Sequence, residues 1–189
     1  MKGFKKLLKA VPLVVSVMVF GWVSMGASAA VADELQIGDV APNFELLNQQ
    51  GELIRLSAYQ GQWVVLYFYP KNDTPGCTAE ACSFRDNINH LIDQKSVILG
   101  VSVDSIESHK KFSEKFNLPF SLLADSDATV TKEYGALLNL LFMKFAKRHS
   151  FIIDPTGTIV KIYREVDPDI HVVEVLKDLK QLQQAERSQ

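Results

Sequence analysis

The chain contains two cysteines, Cys77 and Cys82, and both lie in one short segment. An apolar run ends at Pro70, and a tight polar loop separates this proline from Cys77. A cysteine that follows such a loop opens the next helix, where exposed backbone N–H groups and the helix dipole stabilise thiolate over thiol. Thiolate is the nucleophilic form of sulfur. The sequence therefore predicts a reactive sulfur at position 77.

The spacing of the two cysteines argues against a permanent structural disulfide. On a continuous helix, residues five apart have Cα atoms about 8–9 Å from each other, whereas a disulfide tolerates about 4.4–6.8 Å. A bond between Cys77 and Cys82 would therefore require the start of the helix to unwind. Such a bond suits a reversible redox switch better than a staple.

The loop also carries a recognisable pattern. Pro70, Thr74 and Cys77 form P-x-x-x-T-x-x-C, which resembles the active-site motif of the peroxiredoxins. The second cysteine, five residues on, is similar to that of the peroxiredoxin Q (bacterioferritin comigratory protein) subgroup. The similarity extends over most of the chain, from residues 41–44 to Gly157. It implies a thiol-dependent peroxidase that reduces hydrogen peroxide and alkyl hydroperoxides.

The resemblance assigns a role to each motif residue, and each has an ordinary alternative. Cys77 would be the peroxidatic nucleophile. Thr74 would offer its hydroxyl to the sulfur and the peroxide, or be a plain turn or capping residue; Pro70 would shield the thiolate, or simply end the strand. Arg148 would face the sulfur and bind peroxide through its guanidinium fork, or be a solvated charge. Glu80 would orient that arginine, or be a first-turn carboxylate favoured by the dipole.

Cys82 is the candidate resolving residue. The first product, Cys77 sulfenic acid, condenses with a nearby thiol, and the resemblance implies an intramolecular Cys77–Cys82 disulfide recycled by a thioredoxin-like dithiol protein. The alternative is a buried, inert cysteine. The four histidines stand at no metal-ligand spacing, so we expect no metal and no cofactor. The expected assembly is a monomer or a weak homodimer.

The first 30 residues have the regions of a signal peptide: a basic start, an apolar run at 11–25 and the small residues Ala27-Ser28-Ala29. Cleavage is expected near residues 29–32, with export to a periplasm or a thylakoid lumen. The alternative is an uncleaved membrane anchor, since the run with its flanks approaches the length of a membrane span.

The remaining chain has the size of one domain, which we place at residues 35–186. Removing the leader takes away four lysines and no acidic residue, which leaves 16 basic against 22 acidic residues and a net charge of −6. This acidic balance gives no electrostatic case for binding to nucleic acid or to an anionic membrane.

Periodicity predicts an α/β protein, and the resemblance implies a thioredoxin-like fold with a central mixed β-sheet flanked by helices. Buried strands are predicted at 63–69 and 97–103, a helix at 77–92, and a last helix capped by Asp167. The default expectation for the apolar connector 137–145 is packing in the core. The alternative is an exposed patch for subunit contact, reductant docking or bulky peroxides.

Two other functions are compatible with an exported protein of this fold. A thiol–disulfide oxidoreductase uses C-x-x-C, with two residues between the sulfurs, whereas four separate them here. A copper-delivery protein would need a closer cysteine pair and a partnered histidine. Peroxide consumption, insulin reduction and copper titration distinguish the three.

Overall fold

A mixed β-sheet organises residues 34–188, the part of the chain that the computed structural model describes. Seven strands of this part form the sheet in the order β2-β1-β5-β4-β3-β8-β9, while β6 and β7 pair with each other. Strand β4 runs parallel to both of its neighbours, β3 and β5, and the remaining pairs are antiparallel. The strands are β1 (Glu45–Asn48), β2 (Leu53–Arg55), β3 (Trp63–Phe68), β4 (Ser96–Ser102), β5 (Ser121–Ala124), β6 (Leu137–Leu140), β7 (Met143–Ala146), β8 (Ser150–Ile153) and β9 (Ile159–Tyr163).

Helices cover the sheet, so the predicted thioredoxin-like α/β fold is confirmed. They are α1 (Pro75–Asp86), α2 (Ile88–Asp93), α3 (Ile106–Phe116), α4 (Thr129–Glu133) and α5 (His171–Glu186). Among residues 34–188, no helix has the length and apolarity needed to cross a membrane. The predicted signal peptide and its cleavage region lie outside the described residues.

Strand β3 lies between two hydrophobic cores, and all six of its residues are buried. Val65 and Tyr67 point to a core shared with α1, α2, α3 and α5. Leu66 and Phe68 point to the opposite core, which Tyr134 joins just past the end of α4. This burial on both faces is what a continuous apolar strand predicts, and it holds the carboxyl end of β3 in a fixed position.

Two of the predicted helices have different boundaries in the structure. The predicted helix 77–92 begins earlier, at Pro75, and is interrupted after Asp86. At the interruption the Asn87 side chain donates to the Ser83 carbonyl at 2.9 Å, a local bond that competes with the helical ladder. The last helix begins at His171 rather than after Asp167, because residues 168–170 form a turn whose backbone bonds return to Asp167.

The apolar connector is also different from the default expectation. Residues 137–145 do not pack in a core; they form most of a β-hairpin, β6 and β7, that projects from the domain. Leu141 and Phe142 at its tip are 98% and 100% exposed. The strands β6 and β7 pair with each other and not with the seven-stranded sheet, so the tip between them lies outside that sheet. The exposed-patch alternative is therefore the one that the structure favours.

Candidate active site

The loop after β3 delivers the predicted nucleophile to the start of α1. Thr74 lies immediately before the helix in an extended conformation, and Pro75, which has no N–H to lose, occupies its first turn. The first intrahelical bond runs from the Thr78 N–H to the Thr74 carbonyl at 2.9 Å. The N–H groups of Gly76 and Cys77 precede that bond, so they have no helical acceptor and are available to an anion.

Cys77 is buried, with 1% of its surface exposed, and it is a free cysteine. Its sulfur accepts a hydrogen bond from Nη2 of Arg148 at 3.1 Å. A guanidinium at this distance and the helix dipole act in the same direction, because both favour negative charge on sulfur. Burial keeps the sulfur away from bulk water, which strengthens both effects.

Arg148 reaches the sulfur because of sheet topology. It lies between β7 and β8, and β8 pairs antiparallel with β3 so that Ser150 is opposite Tyr67. The Phe68 N–H donates to the His149 carbonyl at 2.8 Å, which extends this pairing past the strand. The arginine therefore lies at the carboxyl end of β3, the end from which the Cys77 loop departs.

Glu80 holds the other side of the guanidinium. Its Oε2 accepts from Nη1 of Arg148 at 2.7 Å, and its side chain is 1% exposed. Burial raises the pKa of Glu80 to about 7, although the arginine partly offsets this by lowering it. Of the two sequence-based alternatives, a first-turn carboxylate favoured by the dipole does not describe Glu80, because the first turn of α1 contains no acidic residue. An arginine-orienting carboxylate does describe it.

Gly76 makes room for the arginine. A Cβ atom at this position would lie 2.9 Å from Nη2 of Arg148, closer than real Cβ contacts. The glycine thus leaves room for the guanidinium beside the first turn of α1.

The other predicted residues lie around this centre but differ in their contacts. Thr74 donates its hydroxyl hydrogen to the Lys71 carbonyl at 3.0 Å, not to the sulfur. The Thr74 oxygen therefore keeps lone pairs with which to accept a hydrogen bond. Pro70 is partly buried where the loop begins, and Cys82 is half-buried and free, farther along α1.

A buried polar network behind the loop was not expected from the sequence. Asn72 contacts three side chains: its Oδ1 accepts from the Tyr69 hydroxyl at 2.8 Å, while Nδ2 lies 2.8 Å from Ser108 Oγ and 3.1 Å from His109 Nδ1. The Asn72 N–H donates to Oδ2 of Asp104 at 2.9 Å. This network ties the loop that precedes Cys77 to α3 and to the end of β4.

The network also defines the state of His109. Its Nε2 lies 3.2 Å from the Leu123 carbonyl, which can only accept, so Nε2 carries the hydrogen and Nδ1 accepts. Burial lowers the pKa of His109 to about 4, so the ring is neutral at neutral pH. No sequence signal connects positions 72 and 109, which are 37 residues apart.

The remaining histidines show no ligand arrangement. His90 is exposed, while His149 and His171 are buried and neutral, since burial lowers the pKa of each to about 4. Within residues 34–188 no group of three or more His, Cys, Asp or Glu side chains could hold a metal ion.

The geometry can therefore support nucleophilic chemistry by a buried sulfur. Cys77 is the nucleophile, the Arg148 fork can contact a bound oxygen as well as the sulfur, and the N–H groups of Gly76 and Cys77 belong to the same first turn. This combination stabilises both an anionic attacking group and an anionic leaving group.

Comparisons with known proteins agree with this chemistry. The family model described as "AhpC/TSA family" matches residues 37–162. Peroxiredoxin Bcp of Bacillus subtilis is 44% identical over 154 residues, which cover 78% of this chain and 97% of the relative. The chain belongs to the AhpC/TSA family.

Solved structures refine this assignment within the AhpC/TSA family. A cysteine-to-serine mutant of PrxQ from Xylella fastidiosa is 35% identical with a TM-score of 0.74, covering 78% of this chain and 96% of that one. Xanthomonas campestris bacterioferritin comigratory protein is 31% identical with a TM-score of 0.71, covering 77% and 96%. The chain is a peroxiredoxin of the Bcp and Q type, and hence a thiol-dependent peroxidase.

Proposed function

We propose that this peroxiredoxin reduces hydrogen peroxide and alkyl hydroperoxides at Cys77, forms a Cys77–Cys82 disulfide, and is recycled by a thioredoxin-like dithiol protein. One observation carries the proposal: the Arg148 guanidinium touches the Cys77 sulfur at 3.1 Å and the buried Glu80 carboxylate at 2.7 Å. This arrangement supports a thiolate that is both activated and held in one orientation.

In the first step the Cys77 thiolate attacks the distal oxygen of the peroxide. A sulfur–oxygen bond forms as the O–O bond breaks, so sulfur loses two electrons and the peroxide gains them. The departing alkoxide or hydroxide develops negative charge near Arg148 and the N–H groups of Gly76 and Cys77, then takes a proton to leave as alcohol or water. The Thr74 oxygen would accept the hydrogen bond of the bound hydroperoxide.

In the second step Cys82 resolves the sulfenic acid. Its sulfur attacks the Cys77 sulfur, an S–S bond forms, and water leaves with the thiol proton. Both cysteines belong to the same continuous helix, α1. The bond length therefore requires the first turns of α1 to unwind. An external dithiol then returns two electrons, because the chain has no third cysteine.

The alkyl peroxide part of the proposal has support from a related structure. The Xanthomonas campestris protein is described by its alkyl peroxide reduction activity, with a trapped intermediate and ligand complexes. Our chain shares 31% identity with it. The proposed thioredoxin-like reductant and the proposed assembly, a monomer or a weak homodimer, are supported by the sequence resemblance.

The test is peroxide turnover with a thioredoxin system, compared across cysteine variants. Wild type should consume hydrogen peroxide and an alkyl hydroperoxide. Cys77→Ser should consume neither, because it lacks the nucleophile. Cys82→Ser should complete about one turnover and then stop. Steady turnover by Cys77→Ser, or insulin reduction without peroxide consumption, would overturn the proposal.

We also propose that the protein is exported, in a periplasm or a thylakoid lumen, after cleavage near residues 29–32. The basic, apolar and small-residue regions of the leader support this proposal. N-terminal sequencing of protein recovered from the exported fraction should begin at residue 30, 31 or 33. An intact Met1 in the membrane fraction would instead establish an uncleaved anchor.

A further inference from the structure

The hairpin of β6 and β7 carries apolar side chains where hairpins normally carry turn formers. Its two-residue tip is Leu141-Phe142, between the paired residues Leu140 and Met143. Tips of this length favour Asn, Asp and Gly, because positive φ angles are needed there. Leu141 nevertheless has a φ of 53°, a conformation that is unfavourable for a bulky side chain. Residues that violate the local preference point to a role for the tip itself.

Packing within the domain does not explain these residues. Leu140 and Met143 are 49% and 60% exposed, and the two tip side chains almost completely so. The base of the hairpin, in contrast, is fixed: Ala136 and Ala146 are fully buried, and the Lys147 N–H donates to the Ala136 carbonyl at 2.6 Å. The domain thus presents an apolar tip on a well-anchored stem.

The charged side chains of the hairpin segment are positive, although the predicted mature chain is acidic overall. Residues 134–153 contain no acidic side chain. Lys144 and Lys147 are exposed on and just beyond β7, and Lys144 also donates to the Asp127 carbonyl at 2.9 Å. An apolar tip beside lysines is the combination that binds the interface of an anionic bilayer, since the lysines attract headgroups while Leu and Phe enter the boundary with the acyl chains.

The shape of the hairpin also favours lipid over a protein partner. A narrow projecting tip needs a concave partner, whereas a fluid lipid interface adapts to it. A contact between the hairpins of two copies would bury only the few residues at 140–143. The area of these residues is far below the about 800 Å² per partner of a stable interface.

We propose that the β6–β7 hairpin is a membrane-contact site that inserts Leu141 and Phe142 into the headgroup–acyl boundary of an anionic phospholipid bilayer. Lys144 and Lys147 then lie against the headgroups. Arg148 is seven residues from Leu141, so the peroxide site is held within about 23 Å of the tip along extended chain. This binding claim is independent of the proposed catalytic cycle.

Vesicle flotation of residues 34–189 tests the proposal. The leader is omitted because its apolar run would itself bind lipid, and the Bacillus relative is covered for 97% of its length by residues of this chain, so the domain corresponds to a whole protein. Vesicles of phosphatidylcholine alone are compared with vesicles that also contain phosphatidylglycerol. We expect binding to the anionic vesicles, and an emission blue shift on binding for Phe142→Trp, since the domain's Trp63 is buried.

Matched variants separate the contributions. Leu141→Ser with Phe142→Ser should weaken vesicle binding at least ~10-fold, and Lys144→Gln with Lys147→Gln should remove the preference for anionic lipid. Ile92→Ser with Val173→Ser removes two exposed apolar side chains elsewhere and should change nothing. All variants should consume hydrogen peroxide in solution as wild type does, which reports an intact fold.

Three results would overturn the membrane site. One is failure of wild type to float with anionic vesicles. Another is equal vesicle binding by the double-serine tip variant. The third is a protein contact: if sedimentation shows that this tip variant converts a dimer to a monomer while vesicle binding is unchanged, the hairpin is a subunit interface.

Discussion

At the scale of single residues, Arg148 links two groups that both need a positive charge. The Cys77 sulfur needs a positive charge beside it, and the buried Glu80 carboxylate needs a counter-ion. One guanidinium serves both through its two Nη atoms, which a lysine cannot do, because an ammonium is a point charge without a fork.

Replacing Arg148 tests this double role. Arg148→Ala should slow single-turnover peroxide reduction by ~10²–10³-fold, the usual effect of removing one preorganised donor. Because the change also leaves Glu80 buried without a counter-ion, the double variant with Glu80→Gln is the fair comparison for the fold. Arg148→Lys should recover only part of the rate. A rate and a pH profile of Cys77 alkylation that match wild type in all three variants would remove Arg148 from the site.

Glu80 should make stability depend on pH in a definite direction. Its pKa in the folded protein is about 7, raised by burial from an ordinary value of 4.5. Because the pKa is higher in the folded protein, the contribution of Glu80 to the free energy of unfolding is fully present below pH 4.5. This contribution is lost as pH rises through 7. The loss amounts to about 3 kcal/mol in total.

The measurement is the free energy of unfolding of reduced wild type and Glu80→Gln at pH 4.5 and pH 8. The glutamine keeps an acceptor for Arg148 but does not titrate, so the variant should gain stability relative to wild type at the higher pH. Other titrating groups cancel in this difference. A difference that is the same at both pH values would show that Glu80 is not perturbed.

At the scale of elements, the loop between β3 and α1 is held by a network rather than by its own turn. Asn72 connects it to Tyr69, His109 and Asp104. Removing the amide in Asn72→Ala leaves buried partners unsatisfied and loosens the loop, so we expect single-turnover peroxide reduction to fall at least ~10-fold through misplacement of Cys77.

A neighbouring residue provides the control for that prediction. Asp73→Asn removes the charge of an exposed ion pair with Lys115 in the same loop, and exposed pairs contribute little. Asparagine also tolerates the φ of 59° at this position. Its rate should stay close to wild type, and amide exchange at 70–76 should rise for Asn72→Ala alone. Equal rates for the two variants would mean that the network is only structural.

Helix α1 should respond to oxidation. It spans Pro75–Asp86 in the reduced chain, with both cysteines inside it. Few intrahelical bonds hold a helix start, so unwinding there is the low-cost way for the sulfurs to meet. Oxidised protein should show faster amide exchange over residues 77–84 and lower helix content than reduced protein. Identical exchange in the two states would require another route to resolution.

At the scale of the whole molecule, the sequence was most informative where the relevant order is local. The apolar run of β3, the proline after it and the cysteine that opens α1 follow one another along the chain, so strand, loop and nucleophile could be predicted together. The pairing of Arg148 with Cys77 was foreseen through family resemblance and not through spacing, since 71 residues separate them.

The features that the sequence missed or left open depend on contacts between residues distant in sequence, or on whether a segment is covered by the rest of the protein. Asn72 and His109 meet only because α3 packs beside the loop. The 137–145 segment is apolar enough for a core, yet its strands pair with each other, which exposes the tip. Composition shows that the segment is hydrophobic, but it does not show whether another part of the protein covers the segment.

The central claim is that one chain carries the complete two-cysteine cycle. Mass spectrometry of wild type after one equivalent of peroxide, under non-reducing conditions, tests it most directly, with Cys82→Ser as the matched control. We predict an intramolecular Cys77–Cys82 peptide link in wild type and a trappable Cys77 sulfenic acid in the variant. Cys77 linked only between two chains, or no link at all, would contradict the account.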